Sequence, residues 1–398
     1  MTMPLKISSR RLRRVGVLTG GGNVPGLNSV LRTLTLLLTA ADIEVVGIRK
    51  GWSGLLHLAP GSGSPRPDDW WQPLDAASTR GIDRRGGTIL HSTRLNPALL
   101  APSQVPAAFA GRFPSAPDGR SVDATGAVLA AIEALRLDAL VAIGGDGTLS
   151  FARRLHDEGV PIVAIPKTMD NDVFGTDYAI GFSTAVSRAV GMIEDLRTTA
   201  ASHERILIVE LFGRYSGEPC LLAAHLAETD RALLAEVPFD PARIVALLVE
   251  DHHRSPSHYA VVAVAEGAHP VGRSPLESGE ADAVGHKKLG GIGALLAEEI
   301  RTRSTEKAVY QPLGYLLRSG PPDALDRLVA QSFAQLAADH LLAGAAGLLT
   351  ALVDGRYAAV DIGVLGQGQR RVDVERFYDP ETYRPRIRDL VGLPMFLH

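Results

Sequence analysis

The sequence predicts an α/β fold in which helices cover both faces of a mostly parallel sheet. Short apolar runs rich in β-branched residues end in glycine turns, and a helical stretch follows each turn. This alternation begins near residue 15 and continues into the 160s. The length of 398 residues and the 41 glycines favour two domains, or one large divided domain, with many tight turns.

The same patterns place the predicted elements along the chain. Enrichment in Gly, Pro and Ser predicts loops with a surface insertion over residues 51–83, and a similar composition predicts loops over residues 97–120. Helices are predicted at residues 26–41 and 124–135, and a third begins at the glycine turn 144–148. Strands are predicted at residues 15–18, 43–48, 139–143, 160–165, 205–211 and 259–265.

Charge and cysteine content argue against several classes of protein. The net charge of -3 gives no reason to expect nucleic acid or an anionic membrane as a partner. Cys220 is the only cysteine, which rules out an intrachain disulfide and favours a reducing compartment. No apolar run is long enough to span a bilayer and no signal peptide opens the chain, so we expect a cytoplasmic protein.

The first glycine turn is Thr19-Gly20-Gly21-Gly22-Asn23, and it connects a strand to a helix. Three consecutive glycines clear side chains from the backbone, so that N–H groups at a helix N-terminus are open to phosphate oxygens. A tight turn without a ligand would have the same composition. Both interpretations stay open at this point.

The second glycine turn, residues 144–148, places Asp146 among backbone amides. An acid beside phosphate-facing amides is expected where Mg²⁺ bridges the carboxylate and the phosphate. The alternative is that Asp146 caps the helix that follows. Thr148 is able to serve as that cap instead, which favours the metal-binding interpretation.

Polar residues follow the strand predicted at residues 160–165. Lys167 indicates an anionic substrate. One of the two acids, Asp170 or Asp172, is able to take a proton from a hydroxyl while the other helps to hold a metal ion. Asp170 and Asp172 are also residues that form turns, an alternative that is stronger for Asp172. Phosphoryl transfer requires mainly positioning and charge neutralisation, and Lys167 fits the second requirement.

Four arginines follow apolar runs or turns, namely Arg94, Arg205, Arg214 and Arg318. Each alone is typical of a surface ion pair, but together with two phosphate-type turns they indicate a phosphorylated substrate. Glu266 follows an apolar strand and would bind sugar hydroxyls or cap the next helix. The 12 histidines show no metal-ligand spacing, so a zinc site is not expected.

Seven blocks of the sequence resemble the 6-phosphofructokinase family in order and spacing, over most of the chain. The family implies two Rossmann-like, three-layer domains with mostly parallel sheets and an active site in the cleft between them. A donor-binding domain is expected over residues 1–181 and about 317–360, and a sugar-phosphate domain over residues 182–316 and about 361–398. The blocks are TGGGNVPGLN (19–28), GGTILHSTR (86–94), GGDGTL (144–149), PKTMDNDVFGTDYAIGF (166–182), SHERILIVELFGRYSG (202–217), AEG (265–267) and LGYLLRSGPPDALDR (313–327).

The resemblance implies roles for residues on the donor side. Gly21 resembles the glycine that holds the donor phosphate, and Trp52 occupies the place of an aromatic residue that flanks adenine. Asp146 resembles the magnesium-associated acid, and Asp172 an acid that helps to organise the same ion. Arg94 resembles the arginine that touches the transferred phosphoryl group. The remaining expected donor-site residues are Gly145, Gly147 and Thr148.

The resemblance also implies the catalytic and acceptor-binding residues. Asp170 resembles the base, with Lys167, Arg94 and Thr168 as its catalytic neighbours. Arg205 resembles an arginine donated by a neighbouring subunit, which implies a homodimer or homotetramer with shared active sites. Tyr315 stands where many members carry histidine. The expected acceptor-binding residues are Thr168, Asp170, Asp172, Arg205, Phe212, Gly213, Arg214, Glu266, Tyr315 and Arg318.

The identity of the donor depends on Gly147 and Lys167. In this family a glycine after Gly-Gly-Asp leaves room for a nucleotide, whereas an aspartate there goes with pyrophosphate. A lysine before Thr-x-Asp-Asn-Asp is typical of pyrophosphate enzymes but also occurs in ATP-using branches. Gly147 outweighs Lys167, because a side chain at this point would block the α-phosphate of a nucleotide directly. We therefore expect Mg²⁺ and ATP, with transfer to the 1-hydroxyl of fructose 6-phosphate. Pyrophosphate is the alternative donor.

Other activities stay open. Bacterial members usually carry an arginine a few residues before the position of Leu313, and this chain has none in that register, although Lys307 lies nearby. A phosphosugar other than fructose 6-phosphate therefore stays open as the acceptor. Lipid and NAD kinases share the Gly-Gly-Asp-Gly-Thr turn, but not the first glycine block or the Lys-Thr-x-Asp-Asn-Asp block. A silent family member that only binds ligand is the rival from another class, and the presence of Asp146, Asp170 and Arg94 argues against it.

Overall fold

The structure, a computed structural model, describes residues 5–6, 12–64, 66–278 and 288–387. It confirms the α/β prediction, because two largely parallel sheets are covered by helices. The larger sheet has five parallel strands between two antiparallel edge strands. In spatial order its strands are Arg356–Asp361, Leu348–Val353, Ile162–Pro166, Ala139–Gly144, Arg14–Thr19, Glu44–Ile48 and Trp71–Leu74.

The smaller sheet is entirely parallel. In spatial order its strands are Ala308–Pro312, Ile206–Leu211, Ala260–Ala265 and Arg231–Leu233. Short antiparallel pairs also form between Leu5–Lys6 and Ala345–Ala346, between Glu277–Ser278 and Lys288–Leu289, and between Tyr378–Asp379 and Arg384–Pro385.

The helix Leu27–Ala40 buries an apolar stripe. Its residues Leu27, Leu31, Leu34 and Leu38 recur at helical spacing and are all buried. This stripe packs against the helix Ala324–Leu342. The other helices are Trp52–Leu58, Thr125–Ala134, Asp146–Asp157, Phe182–Ser202, Glu218–Leu226, Pro241–Arg254, Ile292–Arg303 and Val374–Phe377.

The prediction of loops over residues 51–83 is wrong in part. That segment contains the helix Trp52–Leu58 and the edge strand Trp71–Leu74. Trp52, Leu55 and Leu56 are buried, so tertiary packing outweighs the loop-like composition. Residues 97–120 contain only 3₁₀ turns and irregular chain, which confirms the prediction for that region.

The strand Arg14–Thr19 is the switch point of the larger sheet. The next large-sheet strand in sequence, Glu44–Ile48, lies on one side of it, and Ala139–Gly144 lies on the other. The glycine turns after Thr19 and Gly144 therefore open side by side at the carboxyl edge of the sheet. This is the place where open α/β sheets bind ligands.

The loop that follows Lys167 is anchored at its far end by Asp326. This carboxylate is completely buried. It accepts hydrogen bonds from the Tyr178 hydroxyl at 2.6 Å and from the Gly181 and Thr184 backbone N–H groups at 2.7 and 2.9 Å. These bonds cap the helix Phe182–Ser202 and hold the loop against the helix Ala324–Leu342.

The division into two domains stays a prediction, and residues 388–398 of the second predicted domain lie outside the described residues. The strands of the larger sheet fall within the ranges expected for the donor-binding domain, apart from the last residue of Arg356–Asp361. Among the helices of the described ranges, none is long and apolar enough to cross a membrane.

Candidate active site

The two glycine turns pack directly against each other through Thr148. A Cβ atom at Gly20 or at Gly144 would collide with the Thr148 side chain, so both positions require glycine. The Gly20 N–H also donates a 2.9 Å hydrogen bond to the Ile143 carbonyl. This contact brings the backbones of two loops to one side of a cleft.

The helix Asp146–Asp157 begins without a side-chain cap. Gly145 is its N-cap residue and makes no side-chain capping hydrogen bond. Thr148, which the sequence offers as an alternative cap, is not the N-cap residue, and its buried side chain packs between the glycine turns instead. Asp146 lines the cleft at the first helical position, where a carboxylate also interacts favourably with the helix dipole.

Lys167 connects the strand Ile162–Pro166 to both glycine turns. Its Nζ donates a 2.7 Å hydrogen bond to the Gly22 carbonyl and would lie 3.3 Å from a Cβ atom at Gly21. The side chain is only 4% exposed. Burial, followed by the charges of Arg318 and Arg94, lowers the pKa of Lys167 to about 7.

Asp170 sits in the turn after Lys167 and is oriented by two backbone contacts. The Arg214 N–H donates to Asp170 Oδ2 at 3.2 Å, and the Asp170 N–H donates to Thr168 Oγ1 at 3.1 Å. Burial raises the pKa of Asp170, while the Arg214 N–H and the nearby cations oppose that rise. A carboxylate held in this way has the properties expected of a general base.

Asp172 shares the cleft with Asp146 and Asp170. Burial, followed by repulsion from Asp170, raises the pKa of Asp172 to about 7, and Asp146 adds to the repulsion. Carboxylate oxygens that repel one another are the ligands that Mg²⁺ prefers. The donor set therefore fits the magnesium site expected at Asp146 and Asp172.

The opposite wall of the cleft carries the residues expected to bind the acceptor. The Arg318 guanidinium lies between the rings of Phe212 and Tyr315, at 4.7 and 5.2 Å from their centroids. A Cβ atom at Gly22 would lie 2.8 Å from Arg318 Nη1, so this arginine reaches the first glycine turn. Burial, followed by repulsion from Asp170, raises the pKa of Glu266 to about 8.

The cleft brings most of the predicted site residues together. Those that line it are Gly21, Arg94, Gly145, Asp146, Gly147, Thr148, Lys167, Thr168, Asp170, Asp172, Phe212, Arg214, Glu266 and Arg318.

Four predicted residues do not line the cleft, and Trp52 is the clearest correction. Its ring is 1% exposed and packs edge-on against Phe151, while its indole N–H donates to the Thr148 carbonyl at 3.2 Å. Trp52 therefore supports the second glycine turn from behind and offers no face to an adenine ring. Its helix, which the composition did not reveal, turns the side chain into the core.

Of the other three, Gly213 and Tyr315 lie beside the cleft and Arg205 lies far from it. Gly213 has a φ of 135° and makes the bend that presents the Arg214 N–H. Tyr315 is 72% exposed beside Arg318. Arg205 precedes the strand Ile206–Leu211 and so lies at the opposite end from Phe212, roughly 20 Å away at the rise of an extended strand. Lys307 precedes a parallel neighbour of that strand and does not line the cleft either.

Some lining residues were not predicted from the sequence. Most of them neighbour a predicted residue, so their presence follows from the motifs. Gln369 neighbours no predicted residue, because it comes from a segment near the C-terminus that carries no motif. The residues concerned are Gly22, Asn23, Val24, Leu95, Met169, Tyr215 and Gln369.

One group of possible metal ligands lies outside the cleft. His252, His253 and Glu306 place their ligand atoms within 4.8 Å of one another. The His252 Nε2 is also 3.3 Å from the Glu204 carbonyl, at the amino end of the smaller sheet. The Nε2 atoms of His252 and His253 lie 3.5 and 3.0 Å from the Glu306 carboxylate, and these contacts hold the group together.

Comparison with known proteins agrees with this geometry. The profile of the family described as Phosphofructokinase matches residues 14–341. A pyrophosphate–fructose 6-phosphate 1-phosphotransferase of Amycolatopsis methanolica is 38% identical over 373 residues, covering 93% of this chain and 99% of the relative. An ATP-dependent 6-phosphofructokinase 2 of Streptomyces coelicolor is 38% identical over 343 residues, covering 85% of this chain and 90% of the relative.

Solved structures show the same fold. A pyrophosphate-dependent phosphofructokinase from Nitrosospira multiformis superposes with a TM-score of 0.74 at 14% identity, covering 97% of this chain and 96% of that one. A phosphofructokinase from Pichia pastoris superposes with a TM-score of 0.72 at 22% identity, covering 90% of this chain but 36% of that longer one. The fold, the cleft and the sequence matches define an enzyme that transfers phosphoryl groups. The chain belongs to the phosphofructokinase family.

The shifted pKa of Asp172 predicts a pH dependence that responds to magnesium. Asp172 is ionised only above about pH 7, so kcat/KM should fall as the pH is lowered through that value. Because a metal ion and a proton compete for the same carboxylate, higher free Mg²⁺ should move this fall to lower pH. The measurement is a set of pH–rate profiles at fixed magnesium–donor complex and several free Mg²⁺ concentrations.

Asp172→Asn is the matched variant, since asparagine has nearly the same shape as aspartate but does not titrate. Its residual activity should lose the magnesium-dependent shift. A wild-type profile whose acid limb stays at the same pH at every Mg²⁺ concentration would contradict the assignment of Asp172 to the metal.

Proposed function

We propose that this enzyme transfers the γ-phosphoryl group of ATP to the 1-hydroxyl of fructose 6-phosphate, which would place it in glycolysis. The observation that carries the proposal is the position of Asp170. It lies in one cleft with two phosphate-type glycine turns, a pair of acids suited to Mg²⁺ and four cationic side chains. Phosphoryl transfer requires a base for the hydroxyl and compensation for the charge of the phosphates, and this cleft provides both.

Asp170 is the general base of the proposed reaction. As the acceptor oxygen attacks the γ-phosphorus, the hydroxyl proton passes to the Asp170 carboxylate. The Arg214 N–H keeps that carboxylate in place through the hydrogen bond to Oδ2. The environment that raises the pKa of Asp170 makes the carboxylate a stronger acceptor of that proton.

Lys167, Arg94 and Arg318 compensate the charge on the transferred group. In the free enzyme burial lowers the pKa of Lys167, and repulsion from the two arginines lowers it further. A bound polyphosphate reverses this repulsion and favours the charged lysine. Asp146 and Asp172 would hold Mg²⁺, which supplies further charge neutralisation at the donor oxygens when it is bound.

The acceptor is held on the opposite wall. Arg214 and Arg318 are placed for its phosphate, and Glu266 is placed for a sugar hydroxyl. Arg205 is too far from this cleft to act within one chain, so we propose that a neighbouring subunit supplies it in a homodimer or homotetramer.

Pyrophosphate is the alternative donor, and Lys167 is the observation that favours it. Its ammonium group occupies the space between the glycine turns, where it would bind a compact diphosphate closely. One relative at 38% identity is named for pyrophosphate and another at 38% for ATP. Gly147 supports ATP, because the absence of a side chain at this point leaves room for the α-phosphate of a nucleotide.

Asp170→Asn tests the assignment of the base. The substitution keeps the size of the side chain but removes its ability to accept the proton, so kcat should fall at least ~10²-fold. The measurement is a steady-state assay with fructose 6-phosphate and either donor. Asp195→Asn, on the exposed side of the helix Phe182–Ser202, is the control and should keep wild-type rates. A near-normal kcat in Asp170→Asn would remove Asp170 from the mechanism.

Gly147→Asp tests the identity of the donor. A carboxylate at this point would meet the α-phosphate, so kcat/KM for ATP should fall about 10²-fold or more, while any activity with pyrophosphate should fall much less. Gly126→Asp, at an open and exposed position in the helix Thr125–Ala134, controls for the effect of an added charge. If Gly147→Asp used ATP as well as the wild type does, the steric argument for the donor would be wrong.

A further inference from the structure

A glycine-containing segment near the C-terminus, residues 366–372, crosses the loop that carries the catalytic acids. Gln369 pairs with Val173 in an antiparallel bridge and lines the cleft. The residue after it, Arg370, donates its backbone N–H to the Asp172 carbonyl at 3.0 Å. The chain thus returns to the active site about 200 residues after the loop itself.

The Arg370 guanidinium binds the same loop at two more points. Its Nη1 donates to the Asn171 carbonyl at 3.2 Å and to the Asp177 carbonyl at 3.0 Å. Asn171 has a φ of 53°, a left-handed conformation that surrounding contacts must maintain. One arginine therefore joins the residue between Asp170 and Asp172 to Asp177, further along the same loop.

Arg370 also connects this loop to the helix Glu218–Leu226. It pairs with Glu218, whose side chain is 2% exposed, with Nη1 lying 3.0 Å from Oε2 and Nη2 lying 3.2 Å from Oε1. The Asn171 amide donates to the same carboxylate at 3.3 Å. Glu218 begins the helix that follows the turn of Arg214, whose N–H holds Asp170.

We propose that Arg370 is a positioning residue that sets the geometry of the Asp170–Asp172 turn for phosphoryl transfer. This inference rests on the proposed function. A guanidinium group is required because its planar fork reaches the loop carbonyls and the Glu218 carboxylate at the same time, whereas a lysine offers a single point of charge. A small displacement of the base from its reacting position is enough to slow the reaction strongly.

Arg370→Ala is the direct test. We expect kcat to fall about 10²-fold, while KM for fructose 6-phosphate changes less than about threefold, because the acceptor-binding arginines are untouched. Added guanidinium ion should restore part of the lost kcat by occupying the site of the missing group. Arg370→Lys should recover less than guanidinium does. Arg376→Ala, at an exposed arginine nearby, is the control and should behave as wild type.

A second readout is independent of turnover. Amide hydrogen exchange over residues 170–177 should become faster in Arg370→Ala, while exchange in the core strand Ile206–Leu211 stays as in the wild type. Unchanged exchange in the loop would overturn the proposal whatever the acceptor is. Wild-type kcat in Arg370→Ala, or a loss of kcat that guanidinium does not relieve, would also overturn it.

These outcomes are distinct from failure of the proposed function. A wild-type enzyme that uses another phosphosugar instead of fructose 6-phosphate would refute the acceptor assignment. The comparison of Arg370→Ala with wild type would then be made with that phosphosugar, and the same expected values apply.

Discussion

The close approach of the two glycine turns is the constraint on which the rest of the site depends. Gly20 and Gly144 leave only enough room for the Thr148 side chain between the two backbones, and Lys167 reaches across to the Gly22 carbonyl. Trp52 supports this contact from behind. Because the turns leave adjacent parallel strands at the switch point of the sheet, residues of both turns, Asp146 among them, line one shared cleft.

That constraint concentrates charge in a partly buried volume. Burial raises the pKa of Asp172 to about 7 and lowers the pKa of Lys167 to about 7. At neutral pH the free enzyme therefore holds Asp172 and Lys167 close to their titration points. An anionic donor with Mg²⁺ would satisfy both sets at once, so substrate binding and the assembly of charge around Asp170 would be parts of one event.

The sequence reveals those parts of the site whose chemistry is local. The glycine turns, Lys167 and the two acids after it occupy short segments, and parallel strand ends bring such segments together. Trp52 was misplaced because its helix is stabilised by packing that composition does not express. Arg370 was not found because its contacts to the catalytic loop span about 200 residues and follow no motif. The choice between ATP and pyrophosphate depends on the fit of a ligand and not on the fold.

The central claim is most directly tested by following the products with ³¹P NMR. Purified enzyme would be mixed with fructose 6-phosphate, Mg²⁺ and either ATP or pyrophosphate in parallel samples. In the ATP sample we expect a new sugar phosphate resonance at the 1-position, with ADP formed in the same amount. Complete consumption of pyrophosphate with no turnover of ATP would contradict the donor assignment, and the absence of any new sugar phosphate with either donor would contradict the proposed reaction.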